Sequence, residues 1–291
     1  MSAIMLNALT IDVEDYYHVA AFDSVVRFAD WERYESRVEK NTQRILDLLD
    51  EHATQATFFV LGWVLERHPG LIRTIVARGH EVASHGYAHQ RIYTQTPAQF
   101  RAETRRSKSL LEDTLGQPIR GYRAASYSIT RQSLWALDVL REAGFVYDSS
   151  IFPIRHDLYG IPSHPRFCSV IPGEHGAPLV EFPLSTLRLG GTNFPIAGGG
   201  YLRLFPYAYT RWGIRYLNTR EGQPAVVYLH PWELDPAQPR LPAGRLSRFR
   251  HYTNLHRMEE RLVRLLQDFS FGTMSEVLHS RGFLNAAGQA A

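Results

Sequence analysis

Five short polar clusters in the chain could do chemistry. I-D-V-E-D (Ile11–Asp15) crowds three carboxylates, and H-G-Y-A-H (His85–His89) spaces two imidazoles four apart. G-Y-R-A-A-S-Y (Gly121–Tyr127) carries Arg123, Y-D-S-S (Tyr147–Ser150) carries Asp148, and Y-L-H-P-W-E (Tyr228–Glu233) carries His230. Like charges this close repel, and burial raises the cost; a nearby cation would offset both. The H-x-x-x-H spacing puts two imidazoles on one side of a helical turn, within reach of one metal ion. Added to the carboxylates, it predicts a His/His/carboxylate centre with positions left for water, the form of a catalytic metal site. Singly, each cluster has a plainer explanation: a solvated acidic loop, a chance pair among 13 histidines, a surface arginine, an aspartate capping a turn, a core histidine. The signal is their joint order, each cluster following a strand-like run.

Those runs alternate with helical ones. Strands are predicted at Ala3–Ile11, Ala56–Gly62, His80–Ser84, Ile119–Ala124, Phe145–Asp148, Leu179–Leu184 and Ala225–Leu229. Helices are predicted at Asn41–Glu51, Pro69–Ala77, Pro97–Leu115 (closed by Gly116) and Arg131–Ala143. Such alternation implies βα units, a parallel sheet and, at this length, a closed or nearly closed barrel whose site lies at the C-terminal strand ends. Between Phe152 and Pro206 the pattern gives way to Gly/Pro-rich sequence, read as loops shaping a groove. Phe249–Phe269 reads as one amphipathic helix, with Tyr252, Leu255, Met258, Leu262, Leu265, Leu266 and Phe269 on one face. Gly272–Leu278 reads as a last strand and short helix, and the tail from Asn285 as frayed.

The 291 residues suit one α/β domain, 1–291, and the 44% hydrophobic content supplies a core. Net charge is only +3, and no basic run is dense enough for a nucleic-acid groove; Arg245–Arg250 comes nearest and reads as a solvated helix start. A lone Cys168 forms no internal disulfide. The N-terminus has no basic segment leading into a long apolar run, so neither a signal peptide nor a membrane span is expected, and a cytoplasmic location is the expectation.

Together the five clusters resemble the motifs of NodB-type polysaccharide deacetylases, carbohydrate esterase family 4, over residues 9–232. G-G-G-Y-L-R (Gly198–Arg203) and F-R-H-Y (Phe249–Tyr252) resemble the subgroup associated with exosortase and exopolysaccharide clusters. The resemblance implies a distorted (β/α) barrel, often of seven parallel strands, with residues 233–284 as an extension packed on it. It also implies one divalent ion, Zn²⁺ by preference. By position, Asp12 matches the catalytic base, His85 and His89 the metal-binding histidines, and Arg123 the residue orienting the base. Asp148 matches the partner of the catalytic histidine, and His230 that histidine, a general acid. The family's second aspartate, a metal ligand, is replaced by Val13. Glu14 is the expected substitute, since side chains two apart on a strand face the same way; Asp15 is the alternative.

The implied reaction is removal of N-acetyl groups from an N-acetylated sugar polymer or its precursor. Tyr127, Tyr201 and Trp232 are the sugar-contact candidates, and a backbone N–H near Tyr127 is a candidate oxyanion donor. A polymer substrate fits a cytoplasmic protein if the substrate is lipid-linked at the inner membrane face, with peripheral association with exopolysaccharide machinery. A cyclic-amide hydrolase on the same fold, or a metal-free carbohydrate-binding protein, are the alternatives.

Overall fold

Seven of the eight residues of the first strand are buried, polar and apolar alike, as expected where both faces of a parallel sheet are covered. In the computed structural model, which describes residues 5–173, 177–196 and 198–290, that strand is β1 (Leu6–Val13). There follow β2 (Thr57–Val60), β3 (Glu81–Ser84), β4 (Gly121–Tyr122), β5 (Tyr147–Asp148), β6 (Ser169–Ile171), β7 (Leu179–Glu181), the hairpin β8 (Thr186–Leu189) and β9 (Thr192–Pro195), β10 (Val226–Leu229) and β11 (Ser270–Gly272). The helices are α1 (Val38–Glu51), α2 (Gly62–Arg67), α3 (Pro69–Ala77), α4 (Pro97–Leu115), α5 (Ala136–Glu142), α6 (Gly199–Leu204), α7 (Tyr207–Tyr216), α8 (Arg245–Tyr252), α9 (Met258–Asp268) and α10 (Met274–Ser280).

The sheet runs β10-β1-β2-β3-β4-β5-β7, seven strands in parallel, with β6 antiparallel on the far edge and β11 pairing the start of β1. It curls into a half-barrel rather than closing. Across the gap between β7 and β10, Ser185 Oγ accepts from Val226 N at 2.7 Å. Alternation along β1 sorts side chains between two layers. Leu9, Ile11 and Val13 pack outward among the helices. Ala8 joins Phe59, Ala83, Val226 and Tyr228 inside the barrel, whose base is plugged by Met274, Val277 and Leu278 of α10. Asp12 shares Ala8's parity and therefore points inward.

Local signals explain the elements that coincide with expectation. Thr96 and Gln99 form a capping box on α4, and Gly116 (φ +66°) ends it in the left-handed conformation. Other elements differ. The expected helix Arg131–Ala143 is a 3₁₀ turn (Arg131–Ser133) followed by α5, and α2 and α7 were not anticipated. The single helix expected at Phe249–Phe269 is two, broken where Thr253 is extended and Asn254 is left-handed. The cause is Arg203, which donates to the carbonyls of Arg250, His251 and Thr253, oxygens that a continuous helix would need for itself. The tail is not frayed: Asn285 Oδ1 accepts from Ala287 N and Gln289 N, and Leu284 bridges to Ala290.

Asp15, the alternative metal ligand, has a structural task instead. Its Oδ2 accepts from Arg37 N (2.7 Å), Val38 N (3.0 Å) and Ser36 Oγ (2.9 Å), and its Oδ1 from Tyr16 N (3.1 Å), so it fixes the start of α1 to the end of β1. Asp15→Ala would strand those buried donors. Urea unfolding should show a loss of about 2–4 kcal/mol, while metal content per folded chain stays at the wild-type level.

Candidate metal and acid–base site

The polar clusters converge at the C-terminal end of the curled sheet, where parallel-barrel sites lie. Asp12 sits on β1 and Glu14 just past it; His85 follows β3, Arg123 follows β4, and His230 follows β10. Glu14, His85 and His89 each aim one ligand atom into a common space, all within 4.8 Å of one another. Val13 is accounted for by the same alternation, since it faces the helices while Glu14 faces the site.

The two histidines do not share a helical turn. They stand on an irregular loop with Gly86 (φ +74°) and His89 (φ +50°) in the left-handed region, rings 5.4 Å apart. Glu103 of α4 holds the loop, accepting from Tyr87 N (2.9 Å) and Ala88 N (3.2 Å). The first amides of α2 bind it from the other side: Gly62 N donates to Gly86 O and Trp63 N to Tyr87 O. His85 Nδ1 lies 2.8 Å from the carbonyl of Arg123, which fixes the tautomer and leaves Nε2 with a free lone pair.

Arg123 is fully buried. Its Nη1 donates to Asp12 Oδ1 (2.7 Å) and Thr10 Oγ1 (2.7 Å), its Nε to Ser149 O, and its Nη2 to Ser149 Oγ, while its guanidinium lies 4.1 Å above the Phe59 ring. Tyr127 Oη donates to Asp12 Oδ2 at 3.3 Å. To reach it, Ser126 and Tyr127 both adopt φ near +52°, a strained pair of the kind found at functional sites. The Tyr127 amide already bonds to Ala124 O, so it is no oxyanion donor.

His230 Nε2 lies 3.1 Å from Glu14 and 3.9 Å from Asp12. Its expected partner, Asp148, is not among the carboxylates within 4 Å; Glu233 is, with Oε2 at 3.1 Å from His230 Nδ1. Glu233 also accepts from His230 N at 3.0 Å and, through Oε1, from Arg203 Nε at 2.7 Å. The geometry follows from H-P-W-E, which folds as a tight 3₁₀ turn bringing the third residue after His230 back onto it. Gly199 makes room, since a Cβ there would lie 1.5 Å from Glu233 Oε2. Burial alone would discharge His230, but Glu14 and Glu233 outweigh it and raise its pKa to about 10. Burial likewise disfavours the Glu233 carboxylate, yet Arg203 and His230 hold its pKa near about 2.

Asp148 accepts from Ser150 and neighbours Glu181; both acids are fully buried, and burial raises the pKa of each. The Y-D-S-S segment instead shores up Arg123 through Ser149, and Ser150 Oγ accepts from Ala124 N. Trp232 is buried between His230 (5.2 Å, 20°) and His251 (4.0 Å, 13°), so it braces the His230 ring as well as lining the cavity. Tyr127 and Tyr159 line the cavity too, whereas Tyr201 stands behind Tyr159, hydroxyls 3.3 Å apart. The sequence reading missed Glu233, Arg203 and Glu103. For Glu233 the signal was present: an acid three residues after a histidine with proline between.

Residues 21–147 match the family profile "Polysaccharide deacetylase", and 149–279 match "Domain of unknown function (DUF3473)". The chain is 35% identical over 99 residues to a chitooligosaccharide deacetylase of Bradyrhizobium sp. (34% of this chain, 43% of that protein). It is 29% identical over 98 residues to a peptidoglycan-N-acetylglucosamine deacetylase of Bacillus cereus (33% and 36%). The aligned segment thus spans less than half the length of these curated relatives. A crystal structure of a candidate polysaccharide deacetylase from Mycobacterium smegmatis superposes with a TM-score of 0.60 at 25% identity, covering 94% of this chain and 89% of that one. PuuE allantoinase (TM-score 0.59, 17% identity, 95% and 90% covered) shares the fold. The polar clusters thus gather at one end of the half-barrel in a chain whose residues 21–147 match the polysaccharide deacetylase family and whose residues 149–279 match DUF3473.

Proposed function

We propose that the protein is a metal-dependent hydrolase that removes N-acetyl groups from an N-acetylated sugar polymer or its precursor, in exopolysaccharide biosynthesis. The observation that carries this reading is the placement of two pairs, Asp12–Arg123 and His230–Glu233, beside the Glu14/His85/His89 cluster, with His230 Nε2 3.1 Å from Glu14 and 3.9 Å from Asp12.

That cluster fits a divalent cation. Glu14 Oε2 is buried without a hydrogen-bond partner, and His85 is fixed with Nε2 bare. One carboxylate and two imidazoles are a usual Zn²⁺ donor set. When bound, such an ion lowers the pKa of a water and polarises the acetyl carbonyl. The chain's own residues would do the rest. Asp12, held in place by Arg123 and Tyr127, takes the proton of the attacking water. His230, oriented through Nδ1 by Glu233, delivers a proton to the departing amine. Glu233 is a positioning residue: it fixes the imidazole through Nδ1 and is itself fixed by Arg203. The cavity lined by Tyr127, Tyr159, Tyr228 and Trp232 offers aromatic faces to a sugar.

Elemental analysis of the purified protein should find about one divalent ion per chain. That ion should be absent from His85→Ala and Glu14→Ala; retention in Glu14→Ala would remove Glu14 from the ligand set. Asp12→Asn should lower kcat by roughly 10²–10⁴ with little change in KM. His230→Ala should fall by a similar factor on an acetamido sugar but far less on an aryl acetate, whose phenolate leaves without a proton. Glu233→Gln should reproduce that split in milder form, about 10–100-fold on the amide. An equal loss on both substrates in His230→Ala would remove it as the acid, and an equal loss in Glu233→Gln alone would reduce Glu233 to a structural role.

A further inference from the structure

Between Asp235 and Glu259 the chain has five arginines, 240, 245, 248, 250 and 257, and no acidic residue. All five are exposed, and among the described residues none lies within 4 Å of a carboxylate, although most other arginines of the protein are paired. Three of them fall on α8, which also bears the two most exposed large apolar side chains, Leu246 (61%) and Phe249 (58%).

The arrangement is not scattered. At about 3.6 residues per turn, Leu246 and Phe249 share one face of α8, Arg245 and Arg250 flank it, and His251 lies opposite. His251 is buried, stacked on Trp232, and Arg203 grips the last carbonyls of the helix. The apolar face is thus held rigidly outward. Arg250 and the partly exposed Leu158 also line the cavity that contains Asp12 and His230. Paired apolar side chains flanked by two unpaired cations match the surface of an anionic bilayer, with phosphates for the guanidinium groups and hydrocarbon for the Leu and Phe. A soluble acidic partner would satisfy the arginines but leave no role for Leu246 and Phe249.

We infer that α8 is a membrane-docking face that lies on an anionic phospholipid surface and turns the mouth of the cavity toward the headgroups. The inference goes beyond the proposed reaction and does not depend on it, since its readout is binding alone.

The test is sedimentation of the full chain with phosphatidylcholine vesicles, with and without phosphatidylglycerol. Wild type should pellet only with the anionic vesicles, and salt should release it. Arg245→Gln should weaken binding by about fivefold. Leu246→Ser/Phe249→Ser should weaken it by at least about tenfold, with its unfolding midpoint unchanged. The inference is overturned if wild type stays in the supernatant, or if the serine variant pellets as well as wild type. It is equally overturned if polyglutamate holds wild type and the serine variant as tightly as anionic vesicles do, which would make the face a general polyanion patch.

Discussion

A guanidinium cannot shed its charge, so an arginine buried at the centre of a barrel must be answered by its surroundings, at a desolvation cost of several kcal/mol. Arg123 is in that position, and most of the site can be read as the answer. Asp12 and Thr10 come from β1, the Phe59 ring from β2, and both oxygens of Ser149 from the end of β5. The residue's own carbonyl meets His85 Nδ1. One buried cation therefore orients the proposed base through its side chain and a proposed metal ligand through its backbone. A change that moved β4 by a fraction of a bond length would disturb both together.

The same logic recurs on the other side of the cavity. Arg203 is a second buried guanidinium, neutralised by Glu233 and saturated by the carbonyls that end α8. The deacetylase match stops at residue 147, yet His230, Glu233 and Arg203 all lie in the DUF3473 match. The half of the chain whose profile has no assigned function thus contributes one whole arm of the proposed acid–base arrangement. Its glycine-rich G-G-G-Y-L-R segment has a steric reason: Gly198 packs against the Tyr228 ring and Gly199 against the Glu233 carboxylate, and a methyl group at either would collide.

The sequence was most legible where chemistry and periodicity are local. The helix limits of α3 and α4 were set by Pro69, Thr96, Pro97 and Gly116. Glu14 followed from the two-residue period of a strand. What escaped depended on contacts distant in sequence. The break before Asn254 is imposed by Arg203, about fifty residues earlier. The 85–89 loop was read as a helical turn because H-x-x-x-H has helical spacing, but Glu103 and the amides of α2 hold it in another shape that still brings the imidazoles together. Asp148 matched its motif position while its side chain turned to Glu181, and the partner of His230 came from the adjacent turn.

The pairing of β1 with β10 has a consequence for biogenesis. Thr10 Oγ1 donates to the carbonyl of Val227, and 217 residues separate the two. At a synthesis rate of about 5–20 residues per second, the first strand emerges from the ribosome roughly ten to forty seconds before its neighbour exists. Through that interval one edge of a strand that is buried in the folded protein stays without its native cover, an invitation to chaperones and to off-pathway association. Loop closure over such a span also makes this contact a late one in folding. In the proposed reaction, Asp12 and His230 therefore come together only once both strands have been made and paired.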